Sequence, residues 1–333
     1  MPANLTPQYH RAEEEFRRAA SPEDELRCLE VMLREIPKHK GTDKLQAELK
    51  AKISRAKQDV EQARKAGKKS GPAAAKIPRQ GAGRCVIFGG PNAGKSQLLA
   101  SLTRATPEVA PYPFTTREPQ PGMMSWEDVV VQLIDTPPVT ADVLDSNLLG
   151  LIRGAEVVVF AVDVGNDDGV DAAQAAYEKL QPTKTRLARE SYLDEEDIGV
   201  SYTKTLLVYT KVDLPGAEDR VALFKEFCPV DFAELRVSAD TGAGLDELRT
   251  AVFQALDVVR VYTKLPHKKE PDYDKPFTVR RGGTLLDVAE LVHRDLAAGF
   301  KHARVWGENV IAGSTAKGDY VVHDKDVVEI HAG

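Results

Sequence analysis

Cysteine is scarce: the 333-residue chain has three, Cys28, Cys85 and Cys228. Their wide separation excludes a disulfide framework and a CxxC metal pair. The seven histidines show no HExxH spacing, which excludes a zinc-protease helix. No stretch approaches the roughly 18–20 consecutive apolar residues that a membrane-spanning helix needs, and the N-terminus lacks an apolar signal core. Nor is there a large charge of either sign. The 45 Lys and Arg against 51 Asp and Glu give −6, which argues against a uniformly basic nucleic-acid binder but leaves room for a local basic patch. These absences set the expectation of a soluble, cytoplasmic protein without a membrane partner. With 42% apolar and 29% charged residues the composition is globular, and the length exceeds what one core usually serves.

What is present falls into three textures. Residues 1–66 carry helix start signals. Thr6-Pro7 and Ser21-Pro22 each set a capping hydroxyl before a proline suited to the first helical turn, and Thr42 opens a longer helix. There Leu45, Leu49, Ile53, Ala56, Val60 and Ala63 recur in steps of three and four, a narrow stripe fit to dock on a partner helix. From Lys38 to Arg79 stand 13 Lys and Arg against 4 Asp and Glu, a local charge of +9 that leaves the remainder at −15. A solvated helical face and a phosphate-contacting surface both fit it. Residues 67–82, rich in Lys, Gly, Ala and Pro, read as a linker.

From 83 to 257 short apolar runs alternate with helical segments. The runs are Cys85–Phe88, Val129–Ile134, Val157–Val162, Leu206–Tyr209 and Leu235–Val237; the helices lie near 95–104, 142–154, 169–187, 218–227 and 245–256. That alternation predicts an α/β domain whose mostly parallel sheet is covered on both faces. Residues 258–333 read as a small α+β module. Its expected strands are Val259–Thr263, Phe277–Arg280, Ala303–Trp306 and Val327–Ile330, with a capped helix from Thr284 to about Ala298.

The sharpest motif is Gly89-Gly90-Pro91-Asn92-Ala93-Gly94-Lys95-Ser96, which matches G-x-x-x-x-G-K-[ST] between a predicted strand and a predicted helix. Its glycines let backbone N–H groups turn inward to phosphate oxygens, and the helix N-terminus adds favourable partial charge. Lys95 would reach the β- and γ-phosphates, and the Ser96 hydroxyl would bind Mg²⁺. Asp135 ends a predicted strand where such a protein needs a Mg²⁺-holding acid. Thr210-Lys211-Val212-Asp213 resembles [NT]KxD: a carboxylate at Asp213 can accept from guanine N1 and the exocyclic amine, while the lysine stem packs on the base. Adenine lacks those donors, so the pattern favours GTP and GDP. Ser238-Ala239 ends the next strand, where a backbone N–H can meet guanine O6. All these motifs lie at carboxyl ends of strands, where open α/β sheets bind ligands. Between loop and acid, Tyr112-Pro113-Phe114-Thr115-Thr116-Arg117 offers a threonine to complete the Mg²⁺ shell in a loop that would order with GTP. A plain proline-rich surface loop is the competing reading.

These residues together resemble the Obg-related GTPases, most closely their developmentally regulated GTP-binding (DRG) branch, over nearly the whole chain. YPFTTREP (112–119) is similar to that group's first switch loop, with Thr116 matching its magnesium-binding threonine. VRVYTK (259–264), FKHARVWG (300–307) and HDKDVVEIH (323–331) resemble the TGS module, a ubiquitin-like β-grasp domain. The resemblance implies a Ras-like P-loop sheet flanked by an N-terminal helical hairpin and a C-terminal TGS domain. It further implies Mg²⁺-dependent GTP hydrolysis, slow without a partner, and association with a ribosome, RNA or a protein cofactor. The resulting catalytic set is Lys95, Thr116 and Asn92, and the metal set is Ser96, Thr116 and Asp135. The large insertion that some relatives carry is expected to be absent, because the 165–203 connection is short.

Three departures stand out. Where the family reads DxxG, this chain has Asp135-Thr136-Pro137-Pro138, and proline offers no N–H to a γ-phosphate. Val139 stands where many GTPases carry a water-orienting glutamine. Asn92 matches the asparagine that potassium-activated relatives use as a cation ligand, so K⁺ could serve here in place of an arginine finger. Thr210 replaces the usual asparagine of NKxD. Two alternatives follow: a non-hydrolysing GTP-binding adaptor tethered to RNA or a ribosome, and an ATP-using relative. Tyr262 and Trp306 are expected to fill a small core, and His293 and His302 to be ordinary surface residues. The module holds 12 Lys and Arg against 11 Asp and Glu from 259 to 333, so Arg280-Arg281 and Lys268-Lys269 sit in no broad basic field. No DNA specificity is evident.

Overall fold

The computed structural model describes residues 6–17, 19, 22–37, 42–66, 77–103, 118–140, 144, 146–193, 200–266, 268 and 270–333. Helices α1 (Pro7–Arg17), α2 (Pro22–Glu35) and α3 (Asp43–Ala66) form the N-terminal unit. Thr6 Oγ1 accepts the Tyr9 N–H at 3.1 Å, and Glu23, Asp24 and Glu25 place negative charge in the first turn of α2. The α3 stripe docks as its spacing predicts: Leu49, Ile53 and Ala56 pack with Tyr9, Phe16, Cys28, Leu29, Met32 and Ile36. Tyr9, Ala12 and Phe16 of α1 join the same core, so all three helices of the N-terminal unit contribute to it.

The central domain runs β1 (Arg84–Phe88), α4 (Lys95–Leu102), β2 (Gln120–Trp126), β3 (Val129–Asp135), α5 (Ser146–Gly154), β4 (Val157–Asp163), α6 (Asp167–Leu180), β5 (Thr185–Ala188), β6 (Tyr192–Leu193), β7 (Ser201–Thr210), α7 (Ala217–Phe227), β8 (Ala233–Val237) and α8 (Leu245–Ala255). The sheet order is β2-β3-β1-β4-β7, with β8 on the far side of β7 and β5 and β6 on its N-terminal half. All pairings are parallel except β2 with β3 and β6 with β7. Successive side chains of β1 enter opposite cores: Cys85 and Ile87 join Leu99 and Val252, while Val86 and Phe88 join Phe160 and Phe224. Burial on both faces is why these strands read as continuous apolar runs.

Several elements depart from the sequence reading. β2 was hidden by Pro121 and Gly122, which an edge strand tolerates because one side of its backbone needs no partner. The helix expected to reach 187 stops at Leu180, ahead of Pro182, and Thr185–Ala188 becomes a strand. Residues 77–82, the end of the segment read as linker, are laid against the sheet. Arg84 donates to the Ile77 carbonyl at 2.6 Å, and Gln132 donates to that of Pro78 at 2.8 Å.

The C-terminal domain holds β9 (Val258–Thr263), β10 (Asp272–Arg280), α9 (Leu285–Val292), α10 (Arg294–Ala298), β11 (Phe300–Gly307), β12 (Val310–Ala316) and β13 (Asp326–Ala332). Its sheet order is β10-β9-β13-β11-β12, with β13 parallel to β9 and the remaining pairs antiparallel. The glycine-interrupted edge strand β12 escaped the sequence reading. So did the break between the two helices: His293 is extended (φ −167°), and its Nδ1 accepts the Asp295 N–H at 3.2 Å, capping α10. No helix among the described residues is long and apolar enough to cross a membrane.

Candidate nucleotide-binding site

β1 delivers the chain into the loop Gly89–Ser96, and α4 starts at Lys95. Gly94 caps this helix at φ 76°, a left-handed conformation that glycine adopts without Cβ strain. Asn92 also lies at positive φ (58°), where asparagine is among the best-tolerated side-chain residues, so the loop geometry is one reason for its identity. The Lys95 ammonium is buried and donates to the carbonyls of Gly89 (3.1 Å) and Gly90 (2.7 Å). Burial pushes its pKa down to about 8, and Asp135 opposes that shift.

Ser96 Oγ donates to Asp135 Oδ2 at 2.5 Å, so α4 and the end of β3 place the two proposed Mg²⁺ residues side by side. A hydroxyl and a carboxylate are the hard oxygen donors that Mg²⁺ takes, and the donor set fits that ion. Thr116 lies outside the described residues, as does the rest of the loop 104–117. After Asp135 the chain is tied back to the P-loop: Thr136 Oγ1 donates to the Ile87 carbonyl at 2.6 Å, and the Val139 N–H to that of Gly89 at 3.2 Å. Val139 itself is buried in the core beside Ile134 and Leu148. It therefore anchors this segment and faces no nucleotide.

Beside the P-loop a cleft is lined by Gly94, Gln97, Leu98, Thr210, Lys211, Asp213, Ser238, Ala239 and Asp240. The structure thus brings the base-reading candidates to one place. Thr210 Oγ1 lies 3.1 Å from the Ala93 carbonyl and 3.2 Å from that of Val162, tying the P-loop to β7 and β4 without an amide. Asp213 is exposed at the rim. Ser238 is buried, and its Oγ accepts the Thr241 N–H at 3.1 Å, which shapes the turn presenting Ala239. Two groups were missed by sequence reasoning. Gln97 hydrogen-bonds Asp240 across the rim, and Lys211 Nζ pairs with the buried Asp163 carboxylate at 2.6 Å. For Asp163 a signal did exist: it is the acid that ends the apolar run of β4.

A second polar cluster joins the two folded sheets. Arg260 of β9, with a side chain 4% exposed, bonds Glu127 (2.5 Å) and Asp128 (2.9 Å) in the β2–β3 turn and Asp324 (2.7 Å) in its own domain. Its guanidinium lies 5.1 Å from the Trp126 ring centroid and 5.6 Å from that of Phe253. Tyr262, expected in a small core, is buried here and donates its hydroxyl to Asp128. Burial alone would raise the Asp128 carboxyl, but the hydrogen bonds from Tyr262 and Arg260 together hold it below its ordinary value. Trp306 lies under the Lys264 ammonium, and His302 stacks on His331 at 4.6 Å.

Fold and site define a P-loop GTPase domain joined to a TGS domain. Residues 84–211 match the 50S ribosome-binding GTPase family, and residues 259–332 match the TGS domain. An uncharacterised GTP-binding protein of Methanocaldococcus jannaschii is 27% identical over 364 residues, covering 92% of each chain. Developmentally-regulated G-protein 2 of Arabidopsis thaliana is 25% identical over 374 residues, covering 92% of this chain and 90% of that protein. Among solved structures, a GTP binding protein from Pyrococcus horikoshii superposes with TM-score 0.47 at 15% identity, over 75% of this chain and all of that one. The chain thus pairs a segment that matches this GTPase family with a TGS domain, and it is similar over most of its length to the developmentally-regulated G-proteins.

Proposed function

We propose that this protein hydrolyses GTP to GDP and phosphate with Mg²⁺, slowly on its own, and works as a cytoplasmic switch associated with ribosomes or RNA. The observation that carries this reading is the convergence of Lys95, Ser96 and Asp135 on one side of Gly94, and of Thr210, Lys211, Asp213 and Ala239 on the other. Mg²⁺, held by Ser96 and Asp135 with Thr116 as the proposed third residue, would neutralise charge on the β- and γ-phosphate oxygens. Lys95 then turns from the Gly89 and Gly90 carbonyls to the phosphates, and the P-loop amides bind the remaining oxygens. Asp213 selects guanine by accepting from two donors that adenine lacks, which sets GTP above ATP. Water attacks in line. With Val139 locked in the core no side chain of that position orients the water, so K⁺ at Asn92 and a ribosomal partner are the proposed sources of acceleration.

Turnover measured in KCl and in NaCl, with ribosomal subunits as titrant, tests this. Faster hydrolysis with K⁺ and with subunits is expected, and a rate indifferent to both would remove the switch reading. One observation favours a non-hydrolysing adaptor: Pro138 has no N–H to sense a γ-phosphate. A hydrogen bond to a charged acceptor is worth about 1.5–3 kcal/mol, so GTP and GDP should bind with affinities closer than in relatives, by on the order of ten- to a hundredfold. Pro138→Gly is expected to widen the GTP-to-GDP ratio in direct titration.

A further inference from the structure

Asp163 is the last residue of β4 and is 1% exposed. Its carboxylate accepts three hydrogen bonds: Lys211 Nζ at 2.6 Å, the Gly165 N–H at 2.7 Å and Asn166 Nδ2 at 3.1 Å. A carboxylate so deeply buried is tolerated only when it is paired and fully bonded. The loop that surrounds it is built for that purpose. A Cβ on Gly165 would meet Leu214 Cδ1 at 2.7 Å, Asp163 Oδ1 at 3.0 Å and Lys211 Cβ at 3.2 Å, so the loop passes close against the acid and its partner. Asn166 does two jobs, since its Oδ1 also accepts the Gly169 N–H at 2.9 Å and caps α6. Lys211, at φ 59°, stands between this acid and the cleft that it lines with Asp213.

The ammonium of Lys211 is therefore committed to Asp163 and not to phosphate, which leaves the four-carbon stem as the part that faces the cleft. A free lysine stem is among the most flexible side chains, and ordering it during binding would weaken the complex. Anchoring the ammonium in advance removes that loss. We propose that Asp163, supported by Asn166, is a positioning residue for purine binding: it pins the Lys211 stem as one wall of the base cleft. Asp163 thereby sets how tightly any purine is held, while Asp213 sets which purine. The assignment rests on reading the cleft as a guanine site.

Titration calorimetry on the full chain separates the two roles, with GDP and with IDP, which lacks the exocyclic amine. Asp163→Asn is expected to weaken both nucleotides by about tenfold, the scale of one charge-assisted hydrogen bond, with the GDP-to-IDP ratio unchanged. Competition by inorganic pyrophosphate, which has no base, should stay at the wild-type value, whereas a general loss of structure would lower it too. The double variant Asp163→Asn/Lys211→Met should be no more than about twofold weaker than the single one, because both act on one wall. Asp213→Asn should instead collapse the ratio.

Wild-type affinity in Asp163→Asn, a changed ratio, or losses that multiply in the double variant would each overturn the assignment. If Asp163→Asn fails to fold, the double variant, which removes both charges of the pair, carries the test: weakened binding of both nucleotides supports it, and wild-type binding overturns it. A wild-type chain that binds neither nucleotide overturns the guanine reading itself.

Discussion

Lys95 carries a proton whose cost depends on what it faces. Burial lowers its pKa to about 8, while phosphate oxygens would favour the charged form. Binding must then take up a proton once the pH exceeds about 8. GDP affinity is expected to hold steady below that value and to fall above it, by up to about tenfold per pH unit. Calorimetric titration from pH 7 to 10 checks this, with Lys95→Met as the variant that loses the dependence. The same shift acts on folding. Between about pH 8 and the unfolded value near 10.4 the unfolded chain binds more protons, so this group's contribution to stability rises with pH there. At this scale the sequence could be read within one motif, as for the loop that holds Lys95 and Ser96; the structure sets Ser96 beside Asp135 and Asp213 in the adjoining cleft. The sequence was opaque where a role depends on a distant partner. Lys211 was readable as a base wall, but the acid that holds it lies 48 positions away.

At the scale of elements, the segment that leaves β3 is anchored by Val139. Val139 is 1% exposed and packs with Ile134, Leu148 and Ile152, while its N–H reaches the Gly89 carbonyl. Val139→Gln would bury an amide among apolar neighbours. It is expected to cost about 2 kcal/mol of stability in denaturant unfolding and to bring no gain in turnover, even though it supplies the side chain that many GTPases use. Continuous apolar runs made the buried parallel strands legible, and helical periodicity did the same for the α3 stripe. The edge strands β2 and β12 were not, because Pro121, Gly122 and Gly313 are signals of loops that an edge accommodates. The end of α6 was misplaced for a related reason: helical spacing persists beyond Leu180, and the helix ends where Pro182 has no N–H to continue its hydrogen bonds.

Across the whole molecule, Arg260 latches the TGS domain to the β2–β3 turn. Its removal would leave the carboxylates of Asp128 and Asp324, 26% and 37% exposed, without their shared cation, a loss of about 1 kcal/mol once solvent screening of the carboxylates is counted. Wild type is expected to melt with the G and TGS domains in one calorimetric transition, and Arg260→Ala in two. The hydrogen bonds from Arg260 also hold the Asp324 carboxyl below its ordinary value against the opposing effect of burial. The latch should accordingly persist at every pH above about 4 and weaken only as pH falls through the lowered values. The N-terminal helices touch both other domains, through Glu25 with Arg153 of α5 and through Arg11 with Asp287 and Glu290 of α9. The amino-acid sequence by itself determined the three textures, the phosphate loop and the order of the nucleotide motifs, because capping, periodicity and loop chemistry act over a few neighbouring residues. The tertiary structure alone decided the Gln97–Asp240 rim, the Lys211–Asp163 pair and the Arg260 latch. A polar group in a linear chain does not specify its partner; packing brings the two together and, where it buries one of them as at Asp163 and Arg260, removes part of the water that would screen the contact.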